Sequence, residues 1–185
     1  MPTEAVMARI LGISGSLRRD SLNTALLRAA AELIDIEVVT LHAIPLYDGD
    51  LEAAQGIPEP VAALKEKVVA ADGVVLATPE YNNGIPGVLK NAMDWLSRPS
   101  DDVPRVFHGR AFAVIGASPG PFGTLSAQSA WLPVLRALRV RPFFAGRLMV
   151  SGAGRLFEDG RLTDPTTRER LAEFLRDFEA FAAAG

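Results

Sequence analysis

The segment GISGSLRRDSLNTALLRAA, residues 12–30, sets Ser14, Ser16, Ser21 and Thr24, the pair Arg18 and Arg19, and Asn23 between an apolar run and an amphipathic one. Hydroxyls, guanidinium groups and an amide at such a junction are anion-binding chemistry. Gly12 and Gly15 permit a tight turn and a close approach of backbone. A helix starting near Ser21 or Leu22 would aim its unpaired N–H groups and positive dipole end back at the loop. The anion this suits best is a phosphate. The segment carries neither the G-x-G-x-x-G spacing of a dinucleotide fold nor the G-K-[ST] of a Walker loop. Ser21 equally suits an ordinary helix cap, and Arg19 taken singly reads as a solvated charge.

Two further segments have the same character. TPEYNNGIPGVLKNAMDWL, residues 78–96, crowds prolines, glycines and asparagines at a strand-to-helix junction, with Glu80, Tyr81 and Asn82 where a flat ligand would lie. Its NNG can present backbone N–H groups to that ligand's edge. Lys90 and Asp94 are four apart, the spacing of a surface ion pair. Met93, Trp95 and Leu96 read as core or as subunit interface. GASPGPFGTLSAQSAWL, residues 116–132, places Ser118, Gly120 and Gly123 before another helix, where missing side chains let backbone approach a planar group.

These segments need a scaffold that brings them to one place. Apolar runs at residues 8–13, 36–41, 73–78, 111–117 and 142–150 read as five strands, continuous rather than alternating, as expected when helices cover both faces of a parallel sheet. Helical patterns occupy 22–33, 59–71, 86–96, 126–138 and 165–181. In the last, Leu171, Phe174, Leu175, Phe178 and Phe181 form an apolar stripe, with Asp164 as cap and Pro165 in the first turn. Such βα alternation predicts a single α/β domain over residues 1–185, a doubly wound sheet with ligands beyond the carboxyl ends of its strands. The chemistry then belongs to the loops 13–23, 78–87 and 117–125.

Composition narrows the partners. The chain has 185 residues, 49% of them hydrophobic, enough for one substantial core. Its 19 basic and 22 acidic side chains are scattered, so neither nucleic acid nor an anionic membrane is a predicted partner. Without cysteine there is no disulfide, thiolate nucleophile or sulfur ligand. His42 and His108 stand in unrelated contexts, so no metal site is expected. The N-terminal MPTEAVMARILGIS lacks the apolar length of a signal peptide, and no run reaches the roughly 20 residues needed to cross a bilayer. A cytoplasmic protein is the expectation.

With these segments assembled, the sequence resembles the NADPH-dependent FMN reductase family, the flavodoxin-like group that includes quinone, chromate and azo-dye reductases. The resemblance runs over nearly the whole chain and is carried by GISGSLRRDSLN, PEYNNGIPGVLKNAMDWLSRP, GASPGPFG and the tail FEDGRLTDPTTRERLAEFL. It implies a flavodoxin-like sheet of order 2-1-3-4-5. It also implies tightly bound FMN, its phosphate on Ser16, Arg18, Ser21 and Asn23, its isoalloxazine against Pro79, Glu80, Tyr81 and Asn82, and Ser118 and Gly120 along the other edge. The co-substrate would be NADPH or NADH, with a small-molecule electron acceptor: a quinone, an azo dye, a metal oxyanion, a flavin or oxygen. Hydride would pass through the flavin in a ping-pong cycle, needing no catalytic acid or base from the protein, and the assembly would be a homodimer or homotetramer. Two features depart from many members: GPFGTL in the third loop and the long connection SRPSDDVPRVFHGRA. Arg18, Arg19 and Arg105 are candidates for a 2′-phosphate.

Two other functions use the same crevice. A flavodoxin-type electron carrier would bind FMN and exchange single electrons with a protein. A non-catalytic module would hold a nucleotide or phosphometabolite without turnover.

Overall fold

The apolar runs become the strands of one parallel sheet. The computed structural model describes residues 8–185, so the first half of the N-terminal stretch read above for a signal peptide lies outside the described residues. Strands β1 (Ile10–Ser14), β2 (Ile36–Val39), β3 (Gly73–Ala77) and β4 (Ala111–Ala117) lie in the order β2-β1-β3-β4. Every pairing is parallel, with Ile10 opposite Gly73 and Gly73 opposite Ala111. Strand β5 (Arg141–Pro142) continues the order beyond β4, as the resemblance implies.

Both faces of the sheet are covered, which explains the unbroken apolar runs. On one face, Ile10, Val75, Ala113 and Ile115 pack against α1 (Leu22–Ala31) and α7 (Pro165–Ala183). On the other, Leu11, Ile13, Val74, Leu76 and Phe112 meet α3 (Glu59–Ala70), α4 (Gly87–Leu96), α5 (Val103–Phe107) and α6 (Leu125–Ala137). The terminal helix starts as its sequence predicts: Pro165 occupies the first turn, and the Asp164 carboxylate accepts from the Thr167 N–H at 2.7 Å. Leu171, Phe174, Leu175 and Phe178 are buried.

The fifth strand departs from expectation. It is not one run over 142–150 but two pieces, β5 and β6 (Leu148–Val150), both paired with β4. Phe112 faces Pro142 and still accepts from the Phe143 N–H at 2.8 Å, while Ile115 faces Leu148, so residues 144–147 must bulge where β4 advances by only Ala113 and Val114. The bulge turns the Phe143 ring into the core, 5.4 Å from Phe174 and 5.6 Å from Phe178. Aromatic burial on α7 offsets the ladder hydrogen bonds that the bulge forgoes at an edge. A hairpin of β7 (Phe157–Glu158) and β8 (Arg161–Leu162) also forms, with Asp159 and Gly160 both at positive φ as a type I′ turn requires. The exposed helix α2 (Gly49–Gln55), capped by Asp48, is a further element that periodicity did not show. Among the described residues no helix is long and apolar enough to cross a membrane.

Candidate functional site

The first loop joins β1 to α1 at the carboxyl end of the sheet. Ser14 and Thr24 share a buried hydroxyl hydrogen bond of 2.7 Å that ties strand end to helix start. Ser16 is buried, and its Oγ accepts from the Arg18 N–H at a long 3.3 Å. Ser21 caps α1, accepting from the Thr24 N–H at 3.2 Å. The first turn of α1 contains no acidic side chain, so its dipole end is not neutralised from within. Arg18 and Arg19 stand exposed beside it, with Asp20. A buried hydroxyl with only a weak partner, a capped helix start and two exposed guanidinium groups form a donor set that fits a phosphate. Gly12 lies within β1 rather than in the turn. A Cβ there would come within 2.9 Å of Leu27, so this glycine serves the packing of α1 on the sheet.

Asn23 does more than its type suggested. It is buried, donates from Nδ2 to Ala117 O at 3.0 Å and accepts at Oδ1 from Ala117 N at 2.9 Å. The amide thus clamps the start of α1 to the end of β4. One Nδ2 hydrogen stays available for an anion, since a primary amide has two donors.

The second loop follows β3. Gly15 N donates to Ala77 O at 2.9 Å and Thr78 N to Ile115 O at 2.9 Å, so the ends of β1, β3 and β4 are stitched in sequence. Pro79 is buried, while Tyr81 and Asn82 are exposed. Tyr81 and Gly84 exchange backbone hydrogen bonds of 3.3 and 3.1 Å around Asn82 and Asn83, at φ 51° and 59°. That is a type I′ reversal, which asparagine tolerates. It uses the Gly84 N–H and leaves those of Asn82 and Asn83 for another acceptor. The Glu80 carboxylate accepts from the Ala127 N–H at 3.0 Å, inside the first turn of α6. Thr124, at the cap position with φ 67°, offers no side-chain cap, so the second loop supplies one to the helix that the third loop begins.

The third loop runs from β4 into α6. Ser118 N donates to Val150 O, and the carbonyls of Ser118 and Gly120 accept from Ala153 N and Gly152 N, all at 2.9 Å. These bonds fasten the loop to the turn after β6 and leave Pro119 to Phe122 exposed at the rim. Gly116 is obligatory: a Cβ there would stand 2.0 Å from Thr124 Oγ1 and 2.6 Å from Thr78 O.

All ten residues expected around the cofactor therefore lie on three mutually bonded loops at one end of the sheet. Of the two readings of Met93, Trp95 and Leu96, core is the one that holds: all three are buried within the chain, Met93 and Leu96 in the cluster against the sheet and Trp95 against the loop after β2, its ring 4.9 Å from that of Tyr47. The expectation for Arg105 fails. Arg105 pairs with Glu66 through both terminal nitrogens at 3.2 and 3.0 Å, next to Asp102 and before the amino end of β4, away from the three loops. The Lys90–Asp94 surface pair forms at 2.7 Å.

Sequence reasoning missed a fourth loop, after β2. Pro45 O accepts from Trp95 Nε1 at 2.9 Å and Asn91 Nδ2 at 2.8 Å, while Asn91 Oδ1 accepts from Tyr47 N. The Tyr47 phenol donates to Glu52 at 3.0 Å, which, with some desolvation, pushes its pKa up. The clustered Pro45, Leu46 and Tyr47 were the available signal. In this loop too, His42 reaches Leu17 O at 3.0 Å.

The chain is similar to known flavin-dependent reductases over nearly its whole length. The family described as NADPH-dependent FMN reductase matches residues 8–154. An NAD(P)H-dependent FMN reductase of Pseudomonas aeruginosa is 42% identical over 173 residues, 91% of each chain. A 2-hydroxy-1,4-benzoquinone reductase of a Burkholderia species is 35% identical, over 94% of this chain and 95% of the other. The flavoenzyme NAD(P)H:(acceptor) oxidoreductase FerB of Paracoccus denitrificans superposes with a TM-score of 0.83 at 32% identity, over 95% of this chain and 97% of its own.

Proposed function

The chain belongs to the NADPH-dependent FMN reductase family, and from that membership we propose how its three loops divide the work of an NAD(P)H-dependent flavoenzyme acting on small acceptors of the quinone class. Bound FMN supplies the hydride chemistry between nicotinamide and acceptor. The first loop holds the phosphate through Ser16, Arg18, Ser21, the remaining Asn23 hydrogen and the N–H groups opening α1. Pro79, Glu80, Tyr81 and Asn82 of the second loop and Ser118 and Gly120 of the third would hold the isoalloxazine. Backbone N–H groups of the second and third loops steady negative charge as it develops, a task for dipoles already fixed in place. Glu80 contributes by anchoring α6. Nicotinamide and acceptor use one open face in turn, a ping-pong order; quinones, azo dyes, metal oxyanions and free flavin are the acceptor classes. The observation that carries this reading is the stitching of the loops by Gly15–Ala77, Asn23–Ala117 and Glu80–Ala127.

A homodimer or homotetramer, in the cytoplasm, belongs to the same reading, and exposed apolar side chains support the assembly. Leu17, Leu46, Tyr81 and Phe122 each stand on the loop leaving a different strand, and all lie at the cofactor end. Sedimentation velocity reads the copy number, and a stable monomer would refute the assembly.

The first experiment is the absorbance of the purified protein with FMN, followed anaerobically as NADPH or NADH is added. Bleaching of the flavin bands is expected, faster with one nicotinamide. Bound flavin that ignored both would point to an electron carrier, and no binding of FMN would refute the site. Arg18→Ala should weaken FMN about tenfold or more, as expected for loss of a charge-assisted contact; unchanged affinity would overturn the phosphate assignment.

A further inference from the structure

We propose that His42, outside all three loops, is a positioning residue that sets the polarity of the phosphate loop; the inference rests on the phosphate assignment above. The Leu17 carbonyl accepts from His42 Nε2 at 3.0 Å. A carbonyl can only accept, so Nε2 carries hydrogen, and in the neutral ring Nδ1 accepts from the Thr40 hydroxyl at 3.2 Å. The Leu17 carbonyl thereby selects the tautomer, and the Thr40 hydroxyl, able to donate or accept, accommodates it.

The consequence lies in the peptide unit joining Leu17 to Arg18. In a trans peptide the C=O and the following N–H point in opposite directions. With Leu17 O held outward on His42, the Arg18 N–H is turned into the loop, where Ser16 Oγ accepts it at 3.3 Å. That length marks a weak partner, one that an incoming anion can replace or share. Without His42 this exposed loop residue is free to rotate its peptide, and the rotated form presents a carbonyl oxygen to the anion in place of an N–H. His42 is itself exposed, so replacing it removes no buried side chain from the core.

The test measures flavin binding by fluorescence quenching for the full chain, His42→Ala and His42→Gln, with FMN and with riboflavin, which has the same ring and no phosphate. The Ala variant is expected to bind FMN about three- to tenfold more weakly, the worth of one net hydrogen bond, with riboflavin unchanged. Gln offers an Nε2 donor at similar reach and should restore FMN binding to within about twofold. Unchanged FMN affinity in the Ala variant, an equal loss for riboflavin, or failure of Gln to restore binding would each overturn the role. Inorganic phosphate titrated against the 15N-labelled protein gives a reading independent of flavin. The Arg18 amide should shift saturably in the parent and much less in His42→Ala. A parent without that shift would refute the phosphate loop itself, whereas equal shifts in both would refute only His42.

Discussion

Removing the Asn23 amide separates two roles that its position combines. Asn23→Ala leaves the Ala117 N–H and C=O, now bonded at 2.9 and 3.0 Å, without partners at a residue only 3% exposed. Each buried backbone group left unsatisfied costs about 1–3 kcal/mol, less where water can enter. About 3 kcal/mol for the pair, toward the lower end of that range summed over two groups, is expected, and a chain of this length loses about 2–4 °C of Tm per kcal/mol. Thermal denaturation without flavin should therefore show a fall of about 6–12 °C, a range that follows from those two figures. Asn23→Asp keeps the acceptor for Ala117 N but sets a carboxylate against Ala117 O and beside the phosphate loop. It should weaken FMN by more than the Ala variant does, because it adds charge repulsion to the lost donor. A Tm change under about 2 °C for Asn23→Ala would mean that the clamp adds little beyond what water supplies. Equal FMN affinity in Asn23→Asp and the parent would remove Asn23 from the phosphate site.

Gly116→Ala should destabilise by about 3 kcal/mol or more, since its Cβ would meet backbone Thr78 O at 2.6 Å as well as Thr124 Oγ1. Thr124→Ala in the same chain relieves only one contact, so urea denaturation should show partial rescue; full rescue would contradict the role of the Thr78 carbonyl. Lys65, buried, bonds Arg98 O and Asp102, and this hydrogen bond, ahead of the ammonium charge and against some desolvation, holds the Asp102 carboxyl below its usual range. A depressed folded pKa contributes stability that is present above the unfolded value of about 4 and is lost as pH falls through the folded one. Between about pH 4 and 2 the parent should therefore lose Tm more steeply than Asp102→Asn; parallel curves would refute the coupling.

Much of the architecture was legible because its signals are local. Val74 to Ala77 and Ala111 to Ala117 form continuous apolar runs that suit only a sheet covered on both faces. Ser21 and Asp164 mark helix starts through hydrogen bonds spanning three residues. The EDGR turn at Glu158 to Arg161 was equally local in its signal, yet its two-residue strands are too short to show a period. The break in the fifth strand was not legible: 142–150 has strand composition throughout, and the bulge follows Phe143, whose ring packs on Phe174 more than thirty positions away while its N–H stays on β4.

Residue types and short spacings were enough to specify the sheet, its helices and which loops carry anion-binding and ring-facing groups, because periodicity, capping and loop chemistry act over a few residues. Partnership across the chain was left to the folded molecule. Asn23 meeting Ala117, Glu80 capping α6, His42 turning the Leu17 carbonyl and Arg105 being claimed by Glu66 all join groups 25 to 94 positions apart. A polar side chain has several competent partners in sequence, and only the packing of the elements that carry it leaves one within hydrogen-bond reach.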